Sequence, residues 1–110
     1  MHRIKVTYRP EALADLKGIY RTVALASQSH RVASGFVGRI TARCRRIGDA
    51  PHGGRPRNDL EEGLRTVPFE RSAVIAYRVE ETVEILNIFY GGRDYEALYR
   101  KHEQEGRSSS

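Results

Sequence analysis

Two neighbouring runs decide how this chain folds: Ser72-Ala73-Val74-Ile75-Ala76-Tyr77-Arg78-Val79 and, across Glu80-Glu81, Thr82-Val83-Glu84-Ile85-Leu86-Asn87-Ile88-Phe89-Tyr90. Both are rich in β-branched and aromatic residues and share a short turn, so they read as a β-hairpin. In the second run Val83, Ile85, Asn87 and Phe89 alternate with Glu84, Leu86, Ile88 and Tyr90. Both sets become apolar towards the end, which predicts a central strand covered on both faces there. Gly91-Gly92 ends it. Just upstream, residues 64–69 form a shorter strand-like run whose Pro68 suits a strand end or an edge.

Further upstream the period changes from two to about 3.6. Leu13, Leu16, Tyr20 and Val23 predict an amphipathic helix over residues 10–26, with Pro10 in its first turn and Glu11 and Asp15 in or near it. Ser27-Gln28-Ser29-His30 interrupts it and supplies capping hydroxyls. Val32, Phe36, Ile40, Cys44 and Ile47 then predict a second helix over 30–48, closed by Gly48. So short a break predicts an antiparallel helix hairpin. Residues 3–8 alternate Ile4, Val6 and Tyr8 with Arg3, Lys5 and Thr7, the pattern of a half-buried strand. Residues 49–63 form a long loop with three glycines and two prolines, the kind that carries function. After the last strand, Asp94 caps a short helix from Tyr95 to about His102. The expected fold is α+β, in the order βααβββ with a C-terminal helical turn, the helix hairpin lying on a small antiparallel sheet. One domain over 1–104 and a disordered tail over 105–110 are expected.

The chain has 110 residues, 19 basic and 14 acidic, for a net charge of +5. Residues 1–57 hold twelve Lys and Arg against three Asp and Glu; residues 58–110 hold seven against eleven. A front half this basic attracts nucleic acid or an acidic protein partner and speeds encounter with either. Arg39, Arg43 and Arg46 share one face of the second helix, with Arg45 nearby. No apolar run is long enough for a membrane span and no signal pattern opens the chain, so a cytoplasmic protein is expected.

Chemistry-bearing groups are sparse. The single cysteine, Cys44, lies on the apolar stripe of the second helix and reads as a core residue. His2, His30, His52 and His102 lack metal-ligand spacing, so no metal is expected. Gly53-Gly54 and Gly91-Gly92 match no phosphate loop, and no cofactor signal is present. Arg55-Pro56-Arg57 reads as a phosphate contact or, preferably, as part of a structural tie, with Arg57 or Arg65 pairing Asp59 or Glu61 to pin the long loop.

A linked series runs through these elements: Tyr8-Arg9-Pro10-Glu11-Ala12, Pro51-His52-Gly53-Gly54-Arg55-Pro56-Arg57-Asn58-Asp59-Leu60, Gly63-Leu64-Arg65, Val74 to Val79, Val83-Glu84-Ile85-Leu86 and Arg93-Asp94-Tyr95-Glu96-Ala97-Leu98. In order and spacing, over residues 3–99, it resembles the ParE branch of the RelE/ParE toxins of type II toxin–antitoxin systems. The resemblance implies a toxin that inhibits DNA gyrase by protein–protein binding and forms a hetero-oligomer with a ParD-like antitoxin. Arg39, Arg43 and Arg46 would then meet the antitoxin, and Arg55, Arg57, Tyr90, Arg93 and Asp94 the target.

The alternative within the same fold is a RelE-like, ribosome-dependent messenger RNA endonuclease, with Arg71, Tyr90, Arg93 and Tyr95 as its catalytic set. Direct nucleic-acid binding is expected only on that alternative. Such relatives carry an arginine three residues before an aromatic in the second of the late strands. Here that position is the apolar Val74, so non-enzymatic action is the preferred expectation.

Overall fold

The computed structural model describes residues 3–100. Strand β1 (Val6–Tyr8) leads into helices α1 (Pro10–Ser27) and α2 (His30–Ile47), followed by β2 (Arg55–Pro56), β3 (Arg65–Phe69), β4 (Ala73–Val79) and β5 (Val83–Tyr90). A last helix, α3, begins at residue 95 and runs to the limit of the described residues. Its expected end near His102, and the expected tail, lie outside them.

The hairpin forms where the sequence breaks. α1 ends on Gln28 in the left-handed region at φ 55°. Ser29 caps α2, its hydroxyl accepting from the Val32 amide at 3.2 Å. The buried stripes sit one residue away from two of the expected positions. α1 buries Ala12, Leu16 and Ile19 while Leu13 stays half exposed; α2 buries Ala33, Phe36, Ile40, Cys44 and Ile47 while Val32 faces solvent. Where an alanine adjoins a larger apolar residue, the alanine takes the inner position because it lets the backbones approach closely.

The sheet order is β1-β5-β4-β3-β2. β1 runs parallel to β5 and every other pair is antiparallel, so the sheet is mixed, not wholly antiparallel as expected. A strand's residues report its burial, not its direction; the hairpin returns the chain across the sheet, and that sets β1 parallel to β5. The expected 49–63 loop also contributes an edge strand, β2, where Pro56 has no amide to offer.

β5 is central, and apolar residues cover both its faces. Val83, Ile85 and Ile88 join the core under the helices, with Tyr90 packed against it; Leu86 and Phe89 join a second cluster on the other face with Leu60, Leu64 and Ala76. The expected strict alternation therefore fails midway. Ala76 pairs with Asn87 but Tyr77 with Ile85, so Leu86 is an extra residue, a β-bulge that reverses the facing of everything after it. β1 has also ended here, its last pair being Tyr8 with Ile85. Asp15 of α1 fills the gap: its Oδ2 accepts from the Ile88 amide at 2.9 Å and from Asn87 Nδ2 at 3.1 Å.

Candidate interaction surfaces

Helix α2 carries Arg31, Arg39, Arg43, Arg45 and Arg46 and no acidic residue, and all of them but Arg43 are exposed. Arg39 reaches across to the β3–β4 turn, donating from Nε and Nη2 to both carboxylate oxygens of Glu70 at 2.8 and 3.1 Å. This charge-assisted fork holds the Glu70 carboxyl below its usual pKa. Arg3 does the same for Asp49, with Nε at 2.7 Å from Oδ1. Between them lies an open groove of about 490 Å³ lined by Arg3, Arg39, Ala42, Arg45, Arg46 and Phe69. Among the described residues Arg45 and Arg46 meet no carboxylate at ion-pair distance. Of the three expected antitoxin contacts, the groove gathers Arg39 and Arg46. Arg43 is half buried and lies outside the groove lining.

The long loop is pinned by arginines. Arg57 is buried, 4% exposed, and donates to both Asp59 oxygens at 3.0 and 2.8 Å, to the Tyr95 hydroxyl at 3.3 Å and to Glu96. Its hydrogen bonds to the Asp59 and Glu96 carboxylates raise the Arg57 pKa further, so its charge is permanent. Arg78 pairs with Glu61 at 2.6 Å, and Arg65 Nη1 donates to the His52 and Gly54 carbonyls at 2.9 and 2.8 Å. The buried Tyr77 hydroxyl donates to the Pro51 carbonyl at 2.8 Å and accepts from the Gly54 amide at 2.9 Å. A Cβ at Gly54 would overlap the Tyr77 phenol, so only glycine fits. The structural tie read from the sequence is thus present, and Arg57 is committed to it.

At the end of the sheet the four residues of the ribonuclease alternative do not converge. Tyr90 faces the helices and packs edge-on against Phe36, with ring centroids 5.6 Å apart. Arg93 lies on the other face, 5.8 Å from the Phe89 ring centroid. Tyr95 stacks on Phe89 at 5.2 Å and its hydroxyl faces Arg57. Arg71 projects from the β3–β4 turn at φ 58° and shares a shallow hollow with Arg93. Of the five expected target contacts, Arg55, Arg93 and Asp94 are exposed, whereas Arg57 and Tyr90 serve the scaffold. Asp94 Oδ1 also accepts from the Ala97 amide at 3.1 Å, the expected cap.

One cleft went unread in the sequence. Glu11 and Asp15 of α1, Glu61, Asn87, Arg93 and Tyr99 surround a space of about 470 Å³ between α1, β5 and α3. Glu11 and Asp15 read as first-turn carboxylates, and nothing in their spacing announces that α3 will close over the sheet opposite them. Burial, with Glu61 nearby, pushes the Tyr99 phenol up to about 12. Cys44 is fully buried and burial raises its thiol to about 11, in keeping with a core residue. Among the described residues no group of three or more His, Cys, Asp or Glu is placed to hold a metal, and no helix is long and apolar enough to cross a membrane.

Two helices packed on a mixed five-stranded sheet, with a short helix after it, are consistent with the fold of a known class of small toxins. The family model described as "ParE toxin of type II toxin-antitoxin system, parDE" matches residues 6–95, and the chain belongs to that family. Among solved structures it is similar to the "Chromosomal ParDE TA system from P. aeruginosa", with 24% identity, a TM-score of 0.71, and coverage of 83% of this chain and 99% of that one. At that identity the likeness speaks to the fold. The comparison with curated proteins gives no match.

Proposed function

We propose that this ParE-type toxin inhibits DNA gyrase by binding it, and that a ParD-like antitoxin neutralises it by laying an acidic segment along α2. One observation carries the antitoxin half: a helix of 18 residues has five arginines, no acid, and an arginine-lined groove beside it. A segment that orders on binding can meet those charges with its own carboxylates while its apolar residues cover Ala42 and the edge of Phe69. The family membership supports the gyrase half. Arg55, Arg93 and Asp94, exposed at the loop and beyond β5, are the proposed target contacts.

Supercoiling and cleavage-complex assays with purified gyrase test the reading. Stoichiometric toxin is expected to block supercoiling and accumulate cleaved DNA, and an equimolar ParD-like antitoxin to reverse both. Full gyrase activity in the presence of excess folded toxin would refute it.

A further inference from the structure

We propose that the hollow at the tip of the helix hairpin docks an acidic amphipathic helix of a partner protein, at a site separate from the groove along α2. The hollow holds about 400 Å³ and is lined by Lys17, Tyr20, Arg21, Ala24, Leu25 and His30.

Helix periodicity and the hairpin link bring these residues together. Lys17, Arg21 and Leu25 follow one another at four-residue spacing and share one outward row of α1, with Tyr20 and Ala24 in the row beside it. The link Gln28-Ser29 turns the chain back and sets His30, the first residue of α2, against them. The Tyr20 hydroxyl lies 3.0 Å from His30 Nδ1, and the two rings stack with centroids 6.0 Å apart. This contact ties the walls of the two helices to each other, so the hollow exists before anything fills it.

Two features of the tip serve nothing inside the chain. Leu25 is 74% exposed, the most open large apolar side chain among the described residues, and Val32 at the start of α2 is also exposed. A lone exposed leucine needs no partner, but this one borders a formed hollow. The charge of the tip is also unanswered. From Leu16 to Gly48 the chain has seven Lys and Arg and no Asp or Glu. Arg39 is met by Glu70 from the β3–β4 turn. Among the described residues Lys17, Arg21 and Arg31 pair with no carboxylate.

These cations choose the occupant. A second copy docked here would set the same cations face to face. Residues 101–110 of the chain itself contain no apolar side chain to fill the hollow. A helix that carries a leucine-sized residue, with Glu or Asp one turn to either side, answers both features at once. Its apolar residue covers Ala24 and Leu25 while its carboxylates reach Lys17 and Arg21. About 22 Å of helix separates His30 from Arg45, so the tip and the arginine groove are independent sites.

Neither gyrase nor an antitoxin is needed for the test. Fluorescence anisotropy of the full chain is read with a labelled synthetic helix of about 18 residues, long enough to be helical, bearing a leucine stripe flanked by glutamates. Leu25→Gln, at an exposed helical position, is expected to weaken binding about tenfold with the circular dichroism unchanged. Lys17→Gln/Arg21→Gln is expected to weaken it about tenfold at about 50 mM salt and to flatten its salt dependence. At about 150 mM salt, where charges so far apart are screened, Arg45→Glu/Arg46→Glu is expected to change affinity less than about twofold. Absence of binding at low salt, equal binding of the same residues in scrambled order, or an equal loss in the Arg45→Glu/Arg46→Glu variant would each overturn the proposal. Sedimentation of a dimer that Leu25→Gln dissolves would assign the tip to a second copy, and Leu25-dependent retention on phosphatidylglycerol vesicles would assign it to a membrane; either result also overturns it.

Discussion

Cys44 shows what a single position contributes. It lies at the centre of the core with no exposed surface, and burial raises its thiol from the usual 9 to about 11. A raised pKa means the folded state holds the proton more tightly than the unfolded state does. The stability tied to that proton is complete below pH 9 and is lost progressively between pH 9 and 11. Cys44→Ala abolishes the ionisation at the cost of a small cavity. Urea unfolding at pH 8 and pH 10.5 should show the wild-type chain losing about 2 kcal/mol more than Cys44→Ala over that interval. Equal losses would mean the thiol is not shielded as its burial indicates. Gly54 makes a different point at the same scale: its missing Cβ is what lets Tyr77 reach both sides of the loop.

Among the elements, α3 is held to the rest of the fold by the Phe89 ring and by Arg57. It stacks Tyr95 on Phe89 and sets Tyr99 edge-on to the same ring, while Arg57 binds Tyr95 and Glu96 from the loop. Loop and helix therefore cover the second face of the sheet together. Arg57→Ala should cost about 2 kcal/mol, the range for losing hydrogen bonds to charged groups. Amide-exchange protection of residues 95–100 should fall further than that of β4 and β5. The effect has a pH signature. Hydrogen bonding to Arg57 lowers the Asp59 pKa, so this contribution is present above the ordinary carboxylate range and fades as pH falls through the lowered value. Variant and wild type should converge in stability in acid. A gap that persists below pH 3 would assign the effect to packing alone. Asp15 plays a comparable part for β5, supplying the acceptor that β1 ends too early to provide.

At the scale of the molecule the basic first half becomes a directed field. Arg3, Arg39, Arg45 and Arg46 gather beside α2, and two carboxylate neighbours, Asp49 and Glu70, are already paired there. Arg45 and Arg46 carry the part of the charge that no intramolecular carboxylate meets among the described residues. Arg45→Glu/Arg46→Glu should slow antitoxin association by about tenfold at low salt and weaken its salt dependence, with a smaller change in dissociation. Stopped-flow mixing across a salt series measures this. Rates that match wild type at every salt would move the antitoxin to another face.

The sequence by itself determined the order of the elements apart from the two-residue strand β2, both helices, the hairpin break with its capping hydroxyls, the strand hairpin and the capping role of Asp94. These depend on periodicity and short-range hydrogen bonding, which a linear pattern records. It also carried the arginine face of α2, because three residues at i, i+4 and i+7 share a side of any helix. Tertiary structure alone decided which arginines remain free. Arg57 and Arg39 look like Arg46 in sequence, yet the first is walled in by a helix 39 residues away and the second is taken by Glu70 of the β3–β4 turn. The same holds for the parallel β1, for the bulge at Leu86 and for the cleft beside α3. Each depends on which distant backbone lies alongside, and a residue's own pattern encodes its burial far more strongly than the identity of its neighbour.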